Sequence, residues 1–209
     1  MERCFQCRLI LHECICRGIT PIWAEHKLTL LTTKREEQIA SNTGRLLRLM
    51  LENKSHIYVG EKGWEKEIEA EIARNEYTPV ILFPISPFRD GQDIIKEKGK
   101  PLNIFVLDTN WSSARRWLYK LAFMEVKKIG LNTVPPSNYY LRKQYKEGNL
   151  CTYQAVTALL EELGTEGFES AFPCMNEIFT SWVKSHAKER GLTIPIPHTK
   201  SRRAQREKL

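Results

Sequence analysis

The chain has 209 residues, 42% of them apolar and 27% charged, and 32 Lys and Arg against 25 Asp and Glu leave a formal charge of +7. That describes one good-sized domain with material for a packed core, and it excludes intrinsic disorder and fibrous repeats. The longest apolar runs, Val80–Phe83 and Ile104–Leu107, fall far short of the ~20 residues that cross a bilayer, and the opening MERCFQCR has no apolar signal core, so the expectation is a cytoplasmic protein with no membrane partner.

Four of the six cysteines come first, at Cys4, Cys7, Cys14 and Cys16. In a cytosolic chain, clustered thiols point to metal rather than disulfides. The pattern C-x2-C-x6-C-x-C supplies four thiolates, enough for a closed tetrahedral zinc site with a structural role. The tight final C-x-C leaves iron–sulfur or redox chemistry as the alternative. Cys151 and Cys174 stand alone and read as small buried thiols.

Past residue 20, short β-rich runs alternate with helical stretches. Strands are expected at Leu28–Thr32, His56–Val59, Pro79–Phe83, Asn103–Leu107 and Val126–Gly130. Helices are expected at Ser41–Leu51 with Ser41 or Asn42 as cap, Trp64–Arg74, Ser112–Phe123 capped by Ser112, Thr152–Leu163, and Phe168–Lys188, where Pro173 interrupts or starts the helix. Asp90 and Asp93 read as part of a polar loop. The pattern predicts an α/β fold, a mostly parallel sheet with helices on both faces. It divides as a knuckle at 1–20, a body at 21–190 and a tail at 191–209. From Val183 onward, eight cations face only Glu189 and Glu207, so +6 of the +7 lies there. Such a run is either a solvated terminus or an arm for a polyanion.

Ligands of open α/β sheets bind beyond the carboxyl ends of the strands. The loops there contain no G-x-G-x-x-G turn, no G-x4-G-K-[ST] loop and no G-x-S-x-G elbow, which argues against nicotinamide binding, P-loop hydrolysis and α/β-hydrolase chemistry. Asp108 stands out, because it ends an apolar strand and precedes a helix. A carboxylate there can accept a proton or orient a substrate amine or imide. Trp111 offers a stacking face or a core ring beside Trp117.

The ordered set C-x2-C-x6-C-x-C, Asn42–Leu46 (NTGRL), Leu107–Arg115 (L-D-x-x-W-x-x-A-R), Ser137–Arg142 (S-x-Y-x-L-R) and Thr152–Val156 (T-x-x-A-V) resembles the DTW-domain family of tRNA-uridine aminocarboxypropyltransferases. Two stretches differ from the family's usual form: its D-G-T-W is Asp108-Thr109-Asn110-Trp111 here, and its H-P-x-E is Thr33-Lys34-Arg35-Glu36. The resemblance implies a SPOUT-like fold with a C-terminal trefoil knot. It also implies transfer of the 3-amino-3-carboxypropyl group of S-adenosylmethionine to N3 of a tRNA uridine, with Asp108 as base or cofactor anchor. The other classes to weigh are a SPOUT-type methyltransferase and a zinc-knuckle RNA-binding module without catalysis. Arg142 or Arg45 would meet the cofactor's carboxylate. Phe83, Pro84, Trp111, Leu131, Ser137 and Thr152 complete the implied cofactor site. Arg45, Arg115, Arg116, Lys143, Lys146, Arg202 and Arg203 are the implied contacts to tRNA, and nothing marks an obligate protein partner.

Overall fold

The computed structural model describes residues 2–84, 87–121, 124, 126–142 and 149–193. Lys143, Lys146, Arg202 and Arg203 lie outside the described residues.

Strands β1 (Lys27–Thr32), β2 (Lys54–Tyr58), β3 (Thr78–Leu82), β4 (Leu102–Leu107) and β5 (Lys127–Ile129) form one parallel sheet in the order β2-β1-β4-β3-β5. In register, Thr29 lies beside Phe105 and Phe105 beside Ile81. Because strand side chains alternate, each strand feeds both faces. A short helix α1 (Lys34–Glu37) follows β1, and Leu28, Leu30, Val80, Leu82, Ile104 and Val106 pack against helices α2 (Gly44–Met50), α4 (Gly91–Lys98), α6 (Thr152–Glu162) and α7 (Phe172–Glu189). Leu31, Ile57, Ile81, Phe105 and Leu107 pack against α3 (Trp64–Ala73) and α5 (Trp111–Leu121). This double coverage explains why β1 and β4 are buried along their whole length.

The connections from β1 to β2 and from β3 to β4 step the same way and carry their helices on the first face. The return steps, β2 to β3 and β4 to β5, use the second face, as a single crossover hand requires. Helices leaving the adjacent strands β1 and β4 therefore diverge, and a crevice opens between them.

Three sequence expectations change. The supposed polar loop at Asp90 and Asp93 is helix α4, with Asp90 Oδ1 accepting from Gln92 N at 2.7 Å and Gly99 closing it in a left-handed conformation. Its eight residues carry only Ile94 and Ile95 as apolar positions, too few to give a helical period. Helix α5 is capped by Asn110, whose Oδ1 accepts from Ser113 N at 3.0 Å, rather than by Ser112. Cys174 is exposed rather than buried.

The cysteine knuckle is fused to the body rather than appended to it. Cys7 and Leu9 belong to the first-face core. Trp182 Nε1 donates to Cys7 O at 2.8 Å, and Arg3 pairs with Glu189 at 2.7 Å. Among the described residues, no helix is long and apolar enough to cross a membrane.

Candidate active site

The segments that follow β1, β3, β4 and β5 surround a cavity of about 410 Å³, within the range of small-molecule pockets. Asp108, 5% exposed, lies against it one residue past β4. Its backbone N–H donates to Leu31 O at 2.9 Å and its carbonyl accepts from Thr32 Oγ1 at 2.9 Å, so the turn is locked to β1. Its carboxylate collects one donor from each flank: Asn42 Nδ2 to Oδ2 at 3.0 Å and Thr152 Oγ1 to Oδ1 at 2.9 Å. Burial pushes this carboxyl above the usual carboxylate range, while those two hydrogen bonds pull it back. Each oxygen retains a further lone pair.

Gly44 opens α2 directly beneath this carboxylate. A Cβ there would lie 2.2 Å from Asp108 Oδ2, so only glycine lets helix and carboxylate approach so closely. Asn42 is used twice, since its Oδ1 also accepts from Arg45 N at 3.2 Å.

A second acid, Glu36, is buried at the rim and accepts from Arg142 Nη1 at 2.7 Å. Thr33 and Glu36 carry the spacing of a capping box, and Thr33 Oγ1 does accept from Glu36 N at 3.1 Å, but the Glu36 side chain turns to Arg142. Arg142 Nε donates to Ser41 Oγ at 3.2 Å, and its buried Nη2 has no partner among the described residues. Tyr139 Oη donates to Ser41 O at 2.6 Å, tying the stretch after β5 across the strand ends to the β1–α2 segment. On the opposite wall, Trp111 meets Phe83 edge to face with ring centroids 6.0 Å apart. Cys151 also lines the cavity. Burial lifts its thiol to about 11, which leaves it protonated and unsuited to nucleophilic attack at neutral pH.

Six of the seven residues that the resemblance implies for the cofactor thus border one cavity: Phe83, Pro84, Trp111, Leu131, Arg142 and Thr152. Ser137 does not border it; its hydroxyl donates to Gln154 Oε1 at 2.8 Å instead. Arg45 is corrected as well. It is 2% exposed, and its guanidinium donates to the carbonyls of Gln6, Glu37 and Ile39, which takes it out of reach of RNA or of the cofactor's carboxylate. Arg115 and Arg116 are exposed on α5. Sequence reasoning missed Glu36, Ser41, Asn42 and Tyr139 as wall residues, although Asn42 and Tyr139 fall inside the quoted motifs and Glu36 in the H-P-x-E counterpart.

The four thiols of Cys4, Cys7, Cys14 and Cys16 lie within 4.8 Å of one another, with the Cys4–Cys16 and Cys7–Cys14 sulfurs 3.7 and 3.8 Å apart. An ion held tetrahedrally by thiolates at about 2.3 Å sets sulfurs ~3.8 Å apart. Backbone N–H groups of Gln6 and Cys7 face Cys4, and those of Leu9 and Ile15 face Cys7, as thiolates require. The set can hold a metal ion and is consistent with zinc.

A doubly covered parallel sheet, a cavity of small-molecule size where its strand order diverges and a four-cysteine knuckle packed into the same core define an α/β domain with a cysteine cluster able to hold a metal ion. A family model for the DTW domain matches residues 1–187, and the chain belongs to that family. No solved structure matches it. Membership is consistent with an enzyme that modifies tRNA.

Proposed function

We propose that the protein transfers the 3-amino-3-carboxypropyl group of S-adenosylmethionine to N3 of a uridine in tRNA. The observation that carries this reading is the convergence of motifs far apart in sequence: Asn42 and Gly44 of N-T-G-R-L, Asp108 and Trp111 of L-D-x-x-W, Tyr139 and Arg142 of S-x-Y-x-L-R, and Thr152 of T-x-x-A-V all border one cavity or abut Asp108.

In the reaction, the N3–C bond forms as the C–S⁺ bond breaks, the bonding pair stays on sulfur as neutral methylthioadenosine leaves, and the N3 proton passes to a base. Asp108 is that base in this reading. Its raised pKa makes it a stronger acceptor than an ordinary carboxylate, and its two donors hold it in place. The unpartnered Nη2 of Arg142 suits the cofactor's carboxylate. Trp111 and Phe83 offer apolar walls to a base, and Pro84, Leu131 and the start of α6 bring backbone groups for the adenine.

The same reading makes the fold SPOUT-like and knotted. Its support is the crossing of the chain after β5 to Ser41 before α6 returns beside β4. It also makes Zn²⁺ the structural metal of the knuckle, the cytoplasm the site of action, and the basic tail beyond residue 191 an added grip on tRNA.

The test is incubation of the pure protein with tRNA and S-adenosylmethionine labelled separately in the methyl and carboxyl groups. Carboxyl label in RNA, with methyl label leaving as methylthioadenosine, is the expected result. Methyl label in RNA would make it a methyltransferase, and RNA bound without label a binding module.

A further inference from the structure

Helix α5 begins at the cavity with Trp111 and runs away from it. Ser112, Arg115, Arg116 and Tyr119 recur at i, i+3, i+4 and i+7, so they share one helical face. All four are exposed, Tyr119 at 82%, while Ala114, Trp117 and Leu121 bury the other face against the sheet. At 1.5 Å per residue the stripe is about 10 Å long.

Two features mark it. Arg115 and Arg116 stand side by side with no ion pair or hydrogen bond among the described residues, as do the exposed Arg17 and Arg35 elsewhere, whereas Arg3, Arg48, Arg74, Arg89 and Arg142 each meet a carboxylate. No acidic residue occurs between Thr109 and Met124, so nothing nearby in sequence neutralises the pair. A tyrosine ring left open to water also contributes little to folding, because its apolar area is not buried.

We propose that this stripe is a docking strip for unpaired RNA, on which Arg115 and Arg116 hold phosphates beside the acceptor uridine and Tyr119 stacks on a neighbouring base. The inference rests on the proposed function and extends it. N3 lies on the pairing edge of uracil, so a uridine that reacts there must be out of its pair, and its neighbours in a loop present open faces. An aromatic ring interleaved with cations is the surface that takes such a strand, the ring gripping any base and the cations the backbone. An acidic protein surface would use the arginines but would offer the open ring no base to stack on.

The test uses full-length wild type, Tyr119→Ala, Tyr119→Phe and the double variant Arg115→Ala with Arg116→Ala. Binding of a single-stranded uridine-containing oligonucleotide, with 2-aminopurine beside the uridine, is titrated alongside kcat and KM for tRNA and for S-adenosylmethionine. Tyr119→Ala is expected to weaken oligonucleotide binding about 5- to 100-fold and remove the 2-aminopurine quench, with Tyr119→Phe restoring both. KM for tRNA rises in step while that for S-adenosylmethionine stays put. The double arginine variant lowers the salt slope of binding by about 1.4. Wild-type-like titrations in both Tyr119→Ala and the double variant overturn the strip. Absence of transfer by wild type overturns the proposed function instead, and the oligonucleotide titration still decides the strip.

Discussion

The two walls of the cavity are built on opposite plans. On the β1–α2 side, Glu36 holds Arg142, Arg142 holds Ser41, Asn42 and Thr152 hold Asp108, and Tyr139 closes onto Ser41. On the α5 side, Trp111 lines the cavity and leads outward to two arginines without an ion pair among the described residues and to an open tyrosine ring. The first wall is assembled during folding and meets its ligand in place, as a site for small charged groups needs. The second keeps its charges unmatched, which suits a large polyanion that arrives late and brings the counter-charge.

The contrast can be broken at several points. The largest effect is expected at Asp108, where Asp108→Ala should lower transfer ~10²- to 10⁴-fold with circular dichroism unchanged; near-normal turnover would sink its role. Its folded pKa is raised, so the native state keeps the proton longer than the unfolded chain. Ionisation therefore removes stability as pH rises from the ordinary carboxylate value through the raised one, and Asp108→Asn should flatten that part of the profile. Next comes Arg45→Ala, which strands three carbonyls and should cost roughly 3–5 kcal/mol by denaturant unfolding. Replacing the exposed Arg115 and Arg116 should by contrast shift stability by no more than about 0.5 kcal/mol each. Equal losses at the two sites would erase the distinction between the walls. Gly44→Ala should cost about 1–3 kcal/mol and depress transfer, because the methyl displaces Asp108. A further test concerns acid. Burial depresses His56 and His186 to about 4 from the ordinary 6.5, so the unfolded chain takes up their protons first and stability falls as pH drops through that window. An unfolding midpoint that stays level across that window would show that both titrate normally.

The strands were legible because each is an apolar run bounded by polar or turn residues, and all five lie within two residues of their expected limits. Helix α4 was not, since a short helix on the rim of a core shows two apolar residues and a cap, which also describes a loop. Asp108 could be singled out because a lone acid after an apolar strand is chemically conspicuous. Arg45 misled for the opposite reason: an arginine near the start of a helix reads as a surface cation, and only the fold reveals the three carbonyls around it. Thr109 in place of the family's glycine proves harmless to the turn, as no left-handed φ is found there, and Asn110 puts the altered stretch to use as a cap.

Arg45 also joins two things that chemistry would otherwise keep separate. One end of its guanidinium is bonded to Gln6, between the first two cysteines, and the other to Glu37 and Ile39, which lead into the cavity wall. A metal that orders that wall would be linked thermodynamically to whatever the cavity binds. Whatever free energy the metal contributes to ordering that wall, an occupied cavity must return to the metal, so each ligand should tighten the other by the same factor. Scarcity of one would be felt as weakened affinity for the other, with no contact between them.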